Sequence, residues 1–388
     1  LEKFISGEGF ETSYAYDVMD EVDSITDHLG NIVSFERDLY SQITKEIDPL
    51  LGEVTRTYDE SGNVTTVSDQ RGNTTTYTVD GFGQTIRLDS PDTGIEDYHH
   101  DGSGNIVKKV TEATTILYSF DILNRLTFID YIADTLDTPF TYDVGTNAKG
   151  KMSSVTYKHG SINLTYDGFG SLKDKTSLIN GVLNTTTYNR DMYGRLDSMV
   201  YPSGMIVNYT YDGLGRLDKL TMQSDSSSTE VTIIENIEYL PFGGIKSYDY
   251  GNGTSFSADF NLDYLVTNVT HSNGSTYLFS ETYGYRKLHQ IDSITDNLNA
   301  LNNQLFTFDA KDQLIGANGV YGDYDYSYDS VGNRLSKTVD LIDVESYSID
   351  TASNQLLSVT KGLDSRTLGY DNIGNVDTDT DFDDTVSL

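Results

Sequence analysis

Residues 209–217 read Tyr209-Thr210-Tyr211-Asp212-Gly213-Leu214-Gly215-Arg216-Leu217, and this stretch sets the plan of the chain. Tyr209 and Tyr211 stand two apart, so in an extended strand their rings share one face. Asp212 ends that strand, because its short carboxylate bonds nearby backbone groups in a turn, while Gly213 and Gly215 tolerate the backbone angles a tight turn needs. Arg216 and Leu217 begin a return strand. The piece is strand, turn, strand.

Related cores begin at Tyr16, Arg37, Tyr58, Val79, His100, Phe120 and Tyr142, then at Tyr166, Arg190, Tyr211, Tyr239, Phe260, Tyr285, Phe308, Tyr328, Ile349 and Tyr370. The first five are 21 residues apart, as are the last three. The copies at Tyr58 (YDESGNV), Tyr166 (YDGFGSL) and Tyr370 (YDNIGNV) are sharp, whereas those at Phe260 (FNLDYLV) and Tyr285 (YRKLHQI) are worn. A fixed period of this size marks a repeat architecture. Residues 53–79 show the unit whole, with a β-branched strand at Val64 to Val67, a turn at Asp69 to Asn73 and a return strand from Thr74 to Val79. Each unit holds two strands of roughly five to seven residues, and a lone hairpin of that size is marginal in water until neighbours cover it. The reading is all-β: about seventeen hairpins side by side in one long antiparallel sheet, a single array over residues 1–388. The period stretches at Tyr142 to Met152, at Gln223 to Thr229 and at Asp296 to Gln304, which read as insertions into turns.

Composition agrees. There are 29 Tyr, 34 Gly, 5 Pro and no Trp, and Gly does not recur every third residue as collagen requires. The net charge of −34 repels nucleic acid and anionic membrane, so neither is an expected partner. Absence of Cys excludes disulfides and thiolate chemistry. No apolar run approaches the roughly 20 residues of a membrane-spanning helix. The chain opens on Leu1 and carries only part of a unit after Tyr370, so it reads as a stretch of a longer chain whose open strand edges permit self-association.

Tyr-Asp-x-x-Gly-Arg/Asn-Leu units at this spacing resemble the rearrangement-hotspot family, also called tyrosine–aspartate (YD) repeats, and the likeness covers essentially the whole chain. Tyr201 to Gly204 and Tyr250 to Gly253 also resemble turns of that family. The resemblance implies a sheet that spirals into part of a hollow shell. It implies a bacterial, secreted or cell-surface scaffold whose partner is an enclosed or adjoining polypeptide such as a toxin; related shells occur in insecticidal toxin complexes and animal adhesion proteins. Family members often carry an aspartate-based self-cleavage segment and then a toxin. No such segment stands here, so neither is carried over.

Each candidate site has a plainer structural reading. The tyrosines could stack on sugars, which would make the chain a glycan-binding or adhesive surface; packing against tyrosines of neighbouring units is the structural alternative. Asp59, Asp167, Asp212 and Asp329 could line a cation edge or could cap their own turns. The alternating carboxylates at Asp377, Asp379 and Asp381, followed by Asp383 and Asp384, begin like a calcium loop but lack its glycine and late glutamate. Tyr98, His99 and His100, beside Asp97 and Asp101, are the one candidate for acid–base chemistry such as sugar-acid elimination, although His100 occupies a repeat tyrosine position. Gly81 to Gly83 and Gly102 to Gly104 lack the third glycine and helix of a phosphate loop and read as turns. The sequence therefore assigns no catalytic, cofactor or metal residue. It predicts a structural scaffold rather than an enzyme.

Overall fold

The computed structural model describes residues 2–132, 137–380 and, as backbone, 385–387. Among these described residues thirty-six strands form one antiparallel sheet. Each strand pairs with the next in sequence, with no crossover. All seventeen repeat registers fall on the last residue of a strand, from Tyr16 in Glu11–Tyr16 to Tyr370 in Asp364–Tyr370. The worn copies are included: Phe260 ends Ser255–Phe260 and Tyr285 ends Thr276–Tyr285.

The strands alternate as a half-covered surface should. In Gly322–Tyr328 the side chains of Tyr324, Tyr326 and Tyr328 are half-buried while Asp323, Asp325 and Ser327 are exposed. Thr74–Val79 repeats the pattern with Thr75, Tyr77 and Val79 against Thr74, Thr76 and Thr78. The polar face is knitted by hydroxyl pairs across strands, such as Thr176 with Thr185 at 3.0 Å. Among the described residues no second layer covers either face. Ala148, Val207, Ile237 and Ala258 are the buried apolar residues among those described. The accessible surface is 22647 Å2, whereas a compact globule of 43.1 kDa exposes roughly 15,000 Å2. This is a ribbon one sheet thick.

Strand twist coils the ribbon until its two edges meet. One edge carries the YD turns, such as Asp59–Asn63; the other carries the opposite turns, such as Asp69–Asn73. The opposite turns of residues 6–94 lie against the YD turns of residues 261–374. Glu8 meets Leu262, Asp48 meets Lys311, Arg71 meets Asp350 and Asp92 meets Asn354. Asp92 and Asn354 are 262 residues apart, which at 21 residues per repeat gives about twelve repeats per winding. Among the described residues no pairing joins Lys3–Ile5 to Thr385–Ser387, so the sheet is an open spiral.

The insertions behave individually. Residues beyond Gln223 lengthen the following strand, Val231–Tyr239, to nine residues with two register shifts. The stretch from Asp296 to Gln304 contains a 3-10 turn, Ala300–Asn302, in which the Asn299 side chain accepts the Leu301 N–H. Asp381, Asp383 and Asp384 of the acidic tail lie outside the described residues. Asp379 pairs with Arg366 across the strands Asp364–Tyr370 and Val376–Thr380.

Candidate functional site

The recurring joint between repeats is where the YD residues act. In the turn at Asp59, the carboxylate Oδ1 accepts the backbone N–H groups of Ser61 and Asn63, both at 2.9 Å, and Oδ2 accepts the Asn63 side chain at 2.9 Å. Gly62 takes φ +87°, the left-handed region a side chain resists. Asp167, Asp212 and Asp329 accept the corresponding two backbone N–H groups through Oδ1. Each carboxylate caps its own turn, and the bonds from Asn63 hold the Asp59 carboxyl below the usual carboxylate range.

The tyrosine reaches back. The Tyr211 hydroxyl donates to the Leu196 carbonyl on the neighbouring strand at 2.7 Å, as Tyr58 does to Ile43 at 2.7 Å and Tyr370 to Leu356 at 2.9 Å. The arginine reaches forward. Arg195 bonds Oδ2 of Asp191 through Nε at 2.7 Å and lies 4.4 Å above the ring of Tyr211 in the next repeat. Arg125 over Tyr142 and Arg216 over Tyr239 match it, at 4.4 and 4.6 Å. The expected contact between equivalent tyrosines is thus replaced by a cation above the ring and a hydroxyl bond to backbone. Ring pairs form both within a strand, such as Tyr324 with Tyr326 at 6.2 Å, and across neighbouring strands, such as Tyr248 with Phe256 at 4.8 Å.

The seam between windings is the second constructed feature. Arg71 donates to the carbonyls of Asp350 and Ser353 at 2.6 and 2.8 Å and to Asn354 Oδ1 at 2.9 Å, with Asp329 beside it at 3.5 Å. Lys311 binds Asp48 at 2.6 Å and Gln70 Oε1 at 2.8 Å. Desolvation opposes ionisation of Asp48, but the Lys311 bond and two backbone N–H groups outweigh it and hold its carboxyl low. At the start of the seam, Phe10 stacks on His28 at 4.9 Å and touches His289, which is bonded to Asp263 at 2.9 Å. Burial pushes the His28 imidazole down. Gly94 passes so near the second winding that a Cβ there would sit 2.3 Å from the Asn372 carbonyl oxygen.

The histidine candidate is less coherent as chemistry than as packing. The Tyr98 hydroxyl donates to Glu96, which is itself paired with Lys109 at 2.9 Å. Burial and that carboxylate push the Tyr98 phenol up, so it holds its proton. Asp97 is paired with Arg87 at 3.0 Å and Asp101 caps its own turn. His99 is exposed on the other face of the strand. Both His99 and His100 border a concavity of about 460 Å3, shared with Asp80, Phe82, Gln84, Ile86, Tyr98 and Asp101. Among the described residues no cluster of His, Asp and Glu is placed to hold a metal ion. No helix among them is long and apolar enough to cross a membrane.

No family profile matches the chain's sequence, and no curated protein does. Solved structures do match. The chain is similar to the crystal structure of TcdB2–TccC3, with a TM-score of 0.77 and 15% identity over 96% of this chain and 25% of that one. The crystal structure of TcdB2–TccC3–Cdc42 gives the same values. The Tc holotoxin pore of Photorhabdus luminescens, carrying a TccC3 mutation, gives 0.76 and 15% over 96% and 24%. This is the fold of a YD-repeat array. The chain spans about a quarter of the length of the chains it matches. At this identity the likeness is one of fold. It agrees with the joints described above, in which the YD residues bind the array together.

The sequence placed the turn aspartates, glycines and tyrosines of the array correctly. It missed the seam residues Arg71, Lys311 and Asn354. One signal was present: Asp27, Asp48 and Asp69 repeat the turn chemistry half a period away from the YD turns, which reveals a second, equally ordered edge.

Proposed function

We propose that this chain is a structural wall, one continuous array that encloses or presents an adjoining polypeptide outside the cell. The observation that carries this reading is the seam, where a one-layer ribbon closes on itself through side chains specific to each edge. About twelve repeats are about 25 strands, which at ~4.8 Å spacing give a circumference of about 120 Å and a bore of about 40 Å between backbones. Side chains narrow that to roughly 30 Å, close to the diameter of a 100-residue domain. The similar structures are named as multi-component Tc toxin assemblies, which is consistent with a wall that adjoins other chains. The test is to isolate the native material and identify by mass spectrometry every polypeptide that remains bound and is shielded from protease. A second, shielded polypeptide is the expected result. This chain alone, cut along its whole length, would overturn the reading.

One observation favours adhesion as a second reading. The free YD turns display aromatic tips to solvent, including Tyr40, Phe82 and Tyr193, as a saccharide-stacking surface would. Glycan binding that disappears in Tyr40→Ala and Tyr193→Ala would move the assignment to it.

A further inference from the structure

We propose that the concavity between the turns Asp80–Gln84 and Asp101–Asn105 is a receptor for a guanidinium group, an arginine side chain supplied by another polypeptide. The argument starts from what fills the same place elsewhere. In three other repeats the fourth residue after the turn aspartate is an arginine, Arg125, Arg195 or Arg216. Its Nε bonds Oδ2 of its own aspartate at 2.7–2.8 Å, and its guanidinium plane covers the next repeat's tyrosine. The chain thus shows, three times over, which ligand this niche holds.

Between Val79 and His100 both halves of that pair are missing. Gln84 stands at the arginine position and His100 at the tyrosine position. Asp80 still caps its turn through Oδ1, receiving Phe82 N–H at 2.8 Å and Gln84 N–H at 3.0 Å. Gln84 does not take up Oδ2 as an arginine would. His100 is shorter than tyrosine, and the space left is the concavity of about 460 Å3. That volume is ample for one side chain and its approach.

The walls suit a planar cation. Phe82 and Tyr98 line the concavity; Lys109 Nζ already lies 5.8 Å over the Tyr98 ring, so the exposed Phe82 ring is the one an arriving Arg would stack on. Two carboxylates, Asp80 and Asp101, border the site on a chain of net charge −34. Gln84 Oε1 and His100 Nδ1 are both buried without a hydrogen-bond partner. The last torsion of a glutamine amide is broad, so a small rotation turns Oε1 into the concavity, where it needs a donor. Guanidinium supplies up to five donors and no acceptor, which matches a site made of acceptors. A sugar hydroxyl is neutral and would bring no opposite charge to Asp80, whose Oδ2 is not taken up by Gln84 as it is by arginine elsewhere. The site's chemistry stands whether or not the spiral encloses a cargo, so this inference is tested separately from the wall reading.

The experiment titrates N-acetyl-arginine amide into the full chain and follows the His100 ring by NMR, assigned by its loss in His100→Phe. The expected result is a saturable shift of His100 with Kd on the order of millimolar, as a single exposed cation–ring contact with charge-assisted bonds gives. The His159 resonance should not move. In Gln84→Arg the chain's own guanidinium enters the niche, so His100 should start at the shifted position and affinity for the probe should fall by about tenfold or more. An arginine-containing peptide that binds more tightly than the amide identifies the polypeptide source. The proposal is overturned if His100 does not respond, if Gln84→Arg binds the probe as well as the parent does, or if N-acetyl-lysine amide or N-acetylglucosamine binds more tightly than the arginine probe.

Discussion

Replacing Arg71 with Leu keeps the aliphatic stem and removes the guanidinium from the seam. Three hydrogen bonds from a charged donor are lost, to Asp350 O, Ser353 O and Asn354 Oδ1. Ser353 is only 3% exposed, so its carbonyl has little water to turn to until the edges part. Bonds from a charged donor contribute about 1.5–3 kcal/mol each, but Arg71 is 16% exposed and incoming solvent replaces part of them. A loss of about 3 kcal/mol is expected, which is roughly 100-fold in the equilibrium between closed and open seam. The backbone N–H of Asn354 reports it directly, because its partner is Asp92 Oδ1 at 2.6 Å, on the other winding. In native-state hydrogen exchange, peptides covering Asp350 to Gln355 should exchange roughly 100-fold faster in Arg71→Leu. Peptides from Leu172–Ile179, far from the contact, should not change. Equal acceleration in both regions, or none in either, would refute the view that the windings are joined by local edge contacts on an otherwise self-sufficient ribbon.

Backbone geometry supplies an opposed pair of substitutions. Gly94→Ala places a Cβ against the Asn372 carbonyl at φ +70° and should destabilise by about 2 kcal/mol or more, whereas Leu51→Gly relieves an exposed leucine at φ +67° and should stabilise by about 0.5–1 kcal/mol, both read from denaturant midpoints. Tyr211→Phe removes the bond to Leu196 and should lose about 1 kcal/mol, and a double-mutant cycle with Arg195→Leu should show a coupling of about 0.5–1 kcal/mol. The turn carboxyls of Asp59, Asp101 and Asp121 are held below their unfolded value by bonds from Asn63, Asn105 and Arg125. Their contribution is therefore complete above the unfolded pKa and lost as pH falls through the folded one, so the melting temperature should drop steeply below about pH 4. His28, held down by burial, acts earlier: the unfolded chain takes up its proton first, so stability should begin to decline as pH falls below about 6.5, and His28→Phe should remove that part of the decline.

Hairpins were legible because each is specified within about ten residues: a paired tyrosine, an aspartate that caps, a glycine that turns. The same physics explains why worn copies still fold. At Phe260, Asn261 substitutes for aspartate and accepts Asp263 and Leu265 N–H groups at 3.1 and 2.9 Å, while Tyr264 adopts φ +61° in place of glycine. What local pattern does not encode is which turn meets which after one winding. Arg71 and Lys311 look like ordinary turn residues until residues about 240 to 280 positions away are brought beside them by accumulated twist. The niche at His100 was half legible: the histidine was visibly out of place in a tyrosine register. The missing arginine at Gln84 gained meaning only once Arg125, Arg195 and Arg216 were seen above their rings.

Pairing every strand with its successor also orders events in time. Each hairpin joins residues close in sequence, so it forms within microseconds of becoming available. The seam joins residues 241–285 apart and has nothing to close on until that length exists. At a synthesis rate of roughly 5–20 residues per second, some tens of seconds separate the first folded hairpin from the first edge contact. During that interval the ribbon is a strip open along its length. If the array encloses a polypeptide, as proposed above, that polypeptide can be laid against the open strip without threading before the later repeats bring the edges together.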